Sequence, residues 1–424
     1  MANSMLQRIG PDPGKPEEAR PPMVYAVIPV FNRIHFTLAC IGYLKKQTYP
    51  NLTIIVVDGG STDGTLEIIP QQHPDIVLLA EGGELWWAGA MEWGIRHALE
   101  ASDNDKDMVL MINNDTILPE DYVTTLVAVS LRENAAVGAV IVDSEDPSVI
   151  HDAGEHLDWE TLLFPVKQHI EPDEVFYDGV DVLPGRGTLV PLLMIRASGN
   201  VDSAAFPHYL ADYDFFCRIK AKGFRLGVTY ETQVQALIEE TGLTPLARKM
   251  SFSEFYRENF SRKSMANFFD HWRFVKRNAP EPFQKTARHV LIDRLIVNFL
   301  FLTPIRKLTG PFLKLHVIRT ENLDAVQSMH PLVRWPIRLL VAPFLVTGQD
   351  CRSLGLDPED LVDKGILNER EVPGWYSFVR LRIPSRNMPK VRRLYWRAWY
   401  PWRKPGRWRA WRKVFDPVRS QGTE

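Results

Sequence analysis

Apolar runs of strand length alternate with helix-forming segments along the first 115 residues of this chain. A strand buried on both faces of a parallel sheet reads as a near-continuous apolar run, whereas a helix shows apolar residues every three to four positions. The alternation predicts βαβ units and a doubly wound, mostly parallel sheet. The predicted strands are one from Val24 into a loop at Arg33, Leu52–Asp58, Ile76–Leu79 and Met108–Ile112, and the predicted helices are Phe36–Lys46, one from near Leu66, and Ala88–Ala101.

Two of these predicted strands end on a carboxylate. The run Met108–Ile112 stops at two amides and Asp115, and the second strand ends at Asp58. The carboxyl ends of parallel strands meet at the edge where open α/β folds bind ligands. A carboxylate there can hold Mg²⁺ or Mn²⁺ together with substrate phosphates, although a strand-end Asp also occurs as a turn or capping residue. The pair indicates one nucleotide-binding edge.

Seven short motifs follow one another in the chain: Val27–Asn32, Gln47–Pro50, Val56–Thr65, Leu85–Ala90, Ile112–Thr116, Gly185–Leu189 and Pro207–Arg218. In this order they resemble a family 2 glycosyltransferase with the GT-A nucleotide-diphospho-sugar fold, over about residues 23–245. The Trp-Trp, Gly-Arg-Gly-Thr and Ala-Asp-Tyr variants resemble the rhamnosyltransferase-like branch that builds bacterial surface polysaccharides.

The resemblance implies roles at the predicted sheet edge. Pro29 and Phe31 would border the nucleotide, and Asp58 would accept a hydrogen bond from the base. The run Asn-Asn-Asp stands in the place of the family's Asp-x-Asp motif, so that Asn114 would contact the nucleotide sugar. Because this variant has a single carboxylate, the Mg²⁺ or Mn²⁺ ion would rest on Asp115, phosphate oxygens and water.

Two further nucleotide-sugar contacts are predicted with alternatives left open. Trp87, in the Trp-Trp pair that includes Trp86, is either a platform for the sugar or a core residue at a helix start. Arg186, in the run Gly-Arg-Gly-Thr, either places a cation near the diphosphate or is an exposed residue of a tight hairpin.

Asp212 is the predicted general base. An inverting transfer requires the acceptor hydroxyl to lose its proton while it attacks the anomeric carbon opposite the leaving diphosphate. Residues Leu210–Lys222 are predicted to form a helix with Asp212 in its first turn, whereas Asp214, two residues on, points elsewhere. The family's pattern has an acid where Ala211 stands. The alternative role for Asp212 is to interact with the helix dipole.

Charge divides the chain into two halves. Residues 1–240 hold 16 Lys and Arg against 36 Asp and Glu, whereas residues 241–424 hold 34 against 16. The acidic half suits a metal-assisted site and the basic half suits an anionic partner. The 424 residues are enough for a catalytic core with an appendage. The predicted parts are a disordered lead-in at 1–22, the GT-A domain at 23–245, a mainly helical region at 246–375 and a basic, Trp-rich tail at 376–424.

The helical prediction for the basic region rests on two segments with helical spacing, Phe252–Ala279 and Thr286–Leu302. Two stretches, Leu295–Ile305 and Leu339–Gln349, are apolar and uncharged but shorter than the ~20 residues of a spanning helix. They are interpreted as buried helices or, alternatively, as elements at a membrane surface.

The tail combines cations with tryptophans. Between Arg380 and Phe415 there are 13 Lys and Arg and no acid, and a solvated tail does not explain five Trp residues. Tryptophan prefers the headgroup layer and cations are attracted to anionic lipid, so an anionic membrane surface is the predicted partner. Nucleic-acid binding also uses cations and aromatic rings, and nucleic acid is the less favoured partner. The tryptophans are Trp396, Trp399, Trp402, Trp408 and Trp411.

These patterns predict an inverting glycosyltransferase that is peripheral on the cytoplasmic face of the cell membrane. It would transfer a sugar from a nucleoside-diphosphate sugar to a polyprenyl-linked or polysaccharide acceptor. Three widely spaced cysteines fit a reducing cytosol, and residues 1–22 lack the apolar core of a signal peptide. The alternatives are a sugar-nucleotide nucleotidyltransferase, which would favour a Gly-rich, cationic loop in place of Pro29–Arg33, and a catalytically silent scaffold.

Overall fold

The computed structural model divides the chain into two compact units. The first comprises residues 1–153, 169–202 and 218–240, and the second comprises 154–168, 203–217 and 241–424. Residues 1–19 and the five tail tryptophans lie outside the described residues. The structure describes residues 20–80, 85–237, 251–300, 345–364, 366–369, 374–378, 390–391 and 394.

The first unit contains a ten-stranded mixed sheet. Its strands are β1 (Val24–Val30), β2 (Leu52–Asp58), β3 (Val77–Ala80), β4 (Met108–Met111), β5 (Thr116–Ile117), β6 (Ala135–Asp143), β7 (Ile150–Asp152), β8 (Phe176–Tyr177), β9 (Thr188–Pro191) and β10 (Arg225–Ala236). The order is β3-β2-β1-β4-β9-β6-β10-β5, with β7 beside β6 and β8 beside β10. Parallel pairs join β3, β2, β1 and β4, and also β6 and β10, while β9 runs antiparallel between β4 and β6. The predicted α/β class with a mostly parallel sheet is confirmed.

Helices connect these strands in the predicted order. The four strands and three helices predicted for residues 24–101 and 108–112, and the helix predicted at 210–222, are present with ends within two residues of the prediction. Helix α6 contributes residues 211–217 to the second unit and 218–221 to the first. The helices are α1 (Ile34–Lys45), α2 (Thr65–Gln72), α3 (Trp86–Ala101), α4 (Tyr122–Glu133), α5 (Leu192–Ser198) and α6 (Ala211–Ala221).

The core of the first unit lies around β1. Val24, Ala26 and Ile28 of one face and Val27 of the other are all fully buried, as expected for a central strand with helices on both sides. Helix α3 crosses this strand so closely that a Cβ at Gly94 would lie 2.3 Å from Cγ1 of Val27. The absence of a side chain at position 94 is therefore what permits the helix to pack onto the sheet.

The second unit contains helices α7 (Phe252–Phe260), α8 (Phe268–Asn278) and α9 (Glu281–Leu300). The two segments with helical spacing, Phe252–Ala279 and Thr286–Leu302, are helical where the structure describes them, and two caps divide the first into α7 and α8. Ser251 and Glu254 form a reciprocal capping box at the start of α7, and Asn267 accepts the Asp270 amide at the start of α8.

A small antiparallel sheet follows in the second unit, in a region predicted to be mainly helical. Its order is β11-β13-β12, and two short helices, α10 (Gly348–Arg352) and α11 (Pro358–Asp363), accompany it. Val391 and Leu394 are buried in its core although they belong to the predicted tail. Among the described residues no helix combines the length and the apolar character needed to cross a membrane. The strands are β11 (Leu345–Thr347), β12 (Leu367–Glu369) and β13 (Trp375–Phe378).

Candidate active site

The sheet edge that was predicted to bind a ligand is formed in the first unit. Because β1 pairs in parallel with both β2 and β4, the carboxyl ends of these strands lie side by side, with Val30 directly opposite Asp58. The loop after β4 carries Asp115, whose backbone carbonyl accepts the amide of Leu237 at 3.3 Å. Strand pairing between β5 and β10 continues from this point. The backbone of Asp115 is thus held by strands on both sides.

The carboxylate of Asp115 is buried between two guanidinium groups. Its Oδ2 lies 3.5 Å from Nη2 of Arg186 and 3.7 Å from Nη1 of Arg33, and the residue is only 5% exposed. Its Oδ1 is buried and accepts no hydrogen bond from any of the residues that the structure describes. A buried anion that keeps one oxygen unpartnered can take up a cation in addition to the two arginines.

The residues fit a divalent cation whose remaining ligands come from elsewhere. No group of three or more His, Cys, Asp or Glu side chains that could hold a metal occurs in the described part of the chain. Mg²⁺ and Mn²⁺ bound by one or two carboxylates keep water and substrate phosphates as their other ligands. Asp115 would hold such an ion through Oδ1, as the sequence predicted for a motif with a single carboxylate.

Arg186 reaches Asp115 because of the turn that precedes β9. The Gly187 amide donates to the Met111 carbonyl at 2.8 Å, which joins this turn to the end of β4. Gly187 has φ +83°, and a Cβ there would lie 2.5 Å from the Tyr122 hydroxyl, which itself donates to the Gly187 carbonyl at 2.5 Å. The Arg186 side chain is 15% exposed. The structure therefore places this cation within the edge rather than on an exposed hairpin.

Arg33 is a candidate functional residue that the sequence analysis missed. It stands directly before α1 with the left-handed backbone conformation φ 69°, and its guanidinium lies 5.9 Å from the ring centre of Phe36 as well as close to Asp115. The available signal was its position as the first cation after β1, at the same edge as Asp115. The sequence analysis treated it only as the end of a loop.

The unusual backbone at Arg33 is held by the loop that follows β2. The Asn32 amide donates to Oγ of Ser61 at 2.7 Å, and the Thr62 amide donates to Oδ1 of Asn32 at 2.9 Å. The Ile34 amide donates to Oδ2 of Asp63 at 2.7 Å, which also explains why α1 begins two residues earlier than predicted. The two loops at the edge are therefore linked on both sides of Arg33.

Asp63 is suited to this role as an anion. Desolvation opposes its charge, but hydrogen bonds from the Thr65 hydroxyl and from the amides of Ile34 and Thr65 outweigh it, so that the pKa of Asp63 lies below its ordinary value. The carboxylate therefore remains ionised, and remains an acceptor for the Ile34 amide, at neutral pH.

The two carboxylate oxygens of Asp58 have different environments. Its Oδ2 accepts the amides of Gly60 and Ser61 at 3.0 and 2.9 Å, whereas its buried Oδ1 has no hydrogen-bond partner among the described residues. Such an oxygen can accept a hydrogen bond from an N–H group of a nucleobase. Of the two residues predicted to border the nucleotide, Pro29 is half-buried and Phe31 is 56% exposed.

The two amides before Asp115 have different partners. The indole N–H of the half-buried Trp87 donates to Oδ1 of Asn113 at 2.9 Å, so the tryptophan is fixed against the motif. Asn114 is buried, and its amide donates to the Thr37 hydroxyl at 3.1 Å. The structure therefore directs Asn114 towards α1, where it holds the loop, and brings Trp87 beside Asn113.

Asp212 and Asp214 lie in the second unit, in the first turn of α6. Asp214 is fully buried, and its Oδ1 lies 3.2 Å from Nε of Arg277 and 2.9 Å from Nδ2 of Asn278. Asp212 is half-buried, and its Oδ1 accepts the Tyr213 amide at 3.0 Å. Of the two acids, Asp212 is the one whose side chain is partly open to solvent.

Comparison with known proteins identifies related sequences. A family model described as glycosyl transferase family 2 matches residues 25–181. Two curated relatives, glycosyltransferases GlyG and GlyA of Streptococcus pneumoniae serotype 4 (strain ATCC BAA-334 / TIGR4), are 29% and 27% identical over 107 and 119 residues. These stretches cover 24% and 27% of this chain but only 34% and 16% of the length of the relatives.

Two solved structures align with this chain at TM-scores below 0.5. The mannosyltransferase PcManGT from Pyrobaculum calidifontis, in complex with GDP-Man and Mn²⁺, aligns with a TM-score of 0.44 and 15% identity over 78% of this chain and 87% of that chain. The structure of GalNAc-T7 with UDP, GalNAc and Mn²⁺ aligns with a TM-score of 0.44 and 11% identity, over 68% of this chain and 59% of that one.

Proposed function

Since the model of glycosyl transferase family 2 matches residues 25–181, we propose that this chain transfers a sugar, with inversion, from a nucleoside-diphosphate sugar to a hydroxyl acceptor. The observation that carries the proposal is the environment of Asp115. A buried carboxylate with one unpartnered oxygen lies between Arg33 and Arg186 at the end of β4. This combination suits a divalent cation together with the anionic diphosphate of a donor.

The donor would be bound by groups of both signs. Arg33 and Arg186 would contact diphosphate oxygens, because a guanidinium donates to phosphate with favourable geometry and at present each lies loosely, at 3.5 to 3.7 Å, beside Asp115. Asp115 would hold the metal, which when bound neutralises the charge that develops on the leaving diphosphate. The Oδ1 of Asp58, which has no hydrogen-bond partner in the part of the chain that the structure describes, would accept a hydrogen bond from an N–H of the base.

The acceptor would be activated by Asp212. As the acceptor oxygen attacks the anomeric carbon, its proton would pass to the Asp212 carboxylate while the bond to the diphosphate breaks on the opposite face. Asp214 does not suit this role because it is fully buried and engaged by Arg277 and Asn278. Asp212 is the acid of this turn that is partly open to solvent.

We place the acceptor, a polyprenyl-linked or polysaccharide glycan, at the inner face of the cell membrane. The support is the excess of cations in residues 241–424 and the Trp-rich tail. A chain truncated after Leu394 removes all five tail tryptophans but keeps Val391 and Leu394 in the core of the small sheet. It should co-sediment more weakly with anionic vesicles and keep nucleotide binding. Undiminished sedimentation of the truncated chain would contradict a role for the tail in membrane binding.

The reaction is tested by screening nucleotide sugars for thermal stabilisation with and without Mn²⁺ or Mg²⁺, then assaying turnover of the stabilising donor. Transfer or slow hydrolysis that releases a nucleoside diphosphate is the expected result. Release of pyrophosphate from a nucleoside triphosphate and a sugar phosphate would instead identify a nucleotidyltransferase. Donor binding by the intact protein without any turnover, over a panel of glycan acceptors, would favour a silent scaffold. Asp115→Asn is the matched control in each assay.

A further inference from the structure

Large apolar side chains project from the second unit into solvent on α7, α8 and the connection between them. Four of them, which we call the aromatic surface, are between 49% and 68% exposed. Single exposed apolar residues are ordinary, whereas a contiguous group marks a site of interaction. The aromatic surface consists of Phe252, Tyr256, Met265 and Phe269.

Ring contacts join the α7 and α8 parts of the aromatic surface. The half-buried Phe260 lies between its two neighbours, with its ring centre 5.6 Å from that of Tyr256 and 5.8 Å from that of Phe269. Phe252 precedes Tyr256 by four residues on α7 and so lies on the same face of that helix. The half-buried Phe255 packs its ring on Phe299 of α9, which is 43% exposed, with ring centres 5.8 Å apart.

Charge around the aromatic surface has one sign. In residues 251–279 every exposed charged side chain is a cation. The three acids of this segment are less exposed: Glu254 caps α7 and is half-buried, Glu258 is half-buried, and Asp270 is buried and paired with Arg273 at 2.9 Å. The exposed cations are Arg257, Arg262, Lys263, Lys276 and Arg277.

We propose that the aromatic surface docks on a lipid bilayer with anionic headgroups. Phenylalanine and tyrosine rings can enter the boundary between headgroups and acyl chains, while the surrounding arginines and lysines contact lipid phosphates. The cores of protein–protein interfaces are depleted of lysine, so the two lysines beside these rings fit lipid better than a protein partner. The inference deepens the proposed function and rests on its membrane-linked acceptor, for which it supplies a docking surface within the described residues.

A second attachment point is physically useful. One weak membrane anchor binds reversibly, and stable attachment takes two signals. The Trp-rich tail is one such signal in the sequence, and the aromatic surface would be the other. The two should therefore contribute separately, so that removal of either weakens vesicle binding and removal of both abolishes it.

The test uses the full chain with Phe252→Ser, Tyr256→Ser and Phe269→Ser combined, because each side chain is more than half exposed and contributes little to the core. The matched control combines Leu131→Ser, Val149→Ser and Val175→Ser, three exposed apolar residues of the first unit. Both proteins are titrated with vesicles of phosphatidylcholine containing phosphatidylglycerol, and with pure phosphatidylcholine vesicles.

The triple variant should partition onto anionic vesicles roughly ten- to a hundredfold more weakly than the control, in line with the apolar area removed from the contact. Donor binding should be unchanged in both. Equal vesicle binding by the triple variant and the control would overturn the proposal. So would loss of self-association in the triple variant while vesicle binding persists, because the surface would then join two copies of the chain.

Two additional arms keep the outcome interpretable. If the triple variant does not fold, Tyr256→Ser alone and the charge reversal Arg257→Glu with Lys263→Glu should each weaken anionic-vesicle binding, and no effect of either would overturn the proposal. Turnover of a water-soluble acceptor tests the proposed function separately. Vesicle docking without turnover would support the docking role of the aromatic surface and contradict the proposed glycosyltransferase activity. Turnover without vesicle docking would support the activity and contradict the docking role.

Discussion

The sheet edge of the first unit and the start of α6 in the second both contain a buried acid, yet the surroundings differ. Asp115 has two arginines at 3.5 and 3.7 Å on one oxygen and no hydrogen-bond partner among described residues on the other. Asp214 has Arg277 at 3.2 Å and Asn278 at 2.9 Å on a single oxygen. A buried charge is tolerated when it is paired and hydrogen-bonded, so Asp214 is satisfied by the protein whereas Asp115 leaves room for a ligand.

The exposed surfaces of the two units also differ. The first unit keeps its apolar residues in the core around β1 and gathers charge at one sheet edge. In the α7–α8 region of the second unit the acids are buried or half-buried, whereas aromatic rings and cations are exposed to solvent. An edge with a few buried charged groups suits a small anionic molecule, while a broad surface of rings and cations suits an extended anionic one.

The largest expected effect is the loss of donor binding in Asp115→Ala. Mn²⁺-dependent affinity for the nucleotide sugar should fall below detection because the carboxylate that holds the ion is gone. The thermal transition should be preserved, since the residue lies at a sheet edge. Calorimetric titration with and without Mn²⁺ measures it, and unchanged metal-dependent affinity would assign the metal to another residue.

Asp212→Asn should separate the chemistry of the second unit from donor binding in the first. The amide keeps the shape of the side chain but cannot accept the proton, so transfer should fall by about 10²–10⁴-fold. Donor affinity should barely change, because the group acts on the acceptor. Initial rates at saturating donor test this, and a near wild-type rate would show that Asp212 is not the base.

Arg33→Gln should raise the KM for the donor by roughly ten- to a hundredfold, the usual contribution of a charge-assisted hydrogen bond to phosphate. Arg186→Gln should act similarly, and Arg33→Lys should recover part of the loss because it restores charge without the bidentate geometry. Arg96→Gln, an exposed residue paired with Glu92 on α3, is the matched control. An Arg33→Gln enzyme with an unaltered KM would leave this residue a purely structural role.

Asp214→Ala is expected to affect stability rather than catalysis. Removing a buried acceptor that serves Arg277 and Asn278 should lower the free energy of unfolding by about 1–3 kcal/mol, because the surviving arginine still reaches water. Denaturant unfolding measures the change, with rates compared at a temperature where both proteins are folded. A large fall in kcat with no loss of stability would reverse the roles assigned to Asp212 and Asp214.

Local patterns in the sequence accounted for the first seven elements of the first unit. The strands β1 to β4 and the helices α1 to α3 follow from apolar periodicity and turn residues, which act over a few positions. Asp58 and Asp115 were placed at one edge by the same argument, since parallel strands bring their carboxyl ends together. Periodicity also predicted helix over Phe252–Ala279, but it did not locate the caps at Ser251 and Asn267 that start two separate helices there.

The sequence by itself therefore determined the α/β class, the sheet edge and the acid at its centre, Asp115, because these depend on short-range spacing. Only the tertiary structure decided which cations surround that acid. Arg186 lies 71 positions from Asp115 in sequence and reaches it because β9 inserts antiparallel between β4 and β6. Arg33 is aimed by hydrogen bonds from a loop about 30 positions away. Such pairings depend on strand order and loop contacts, which local periodicity does not specify.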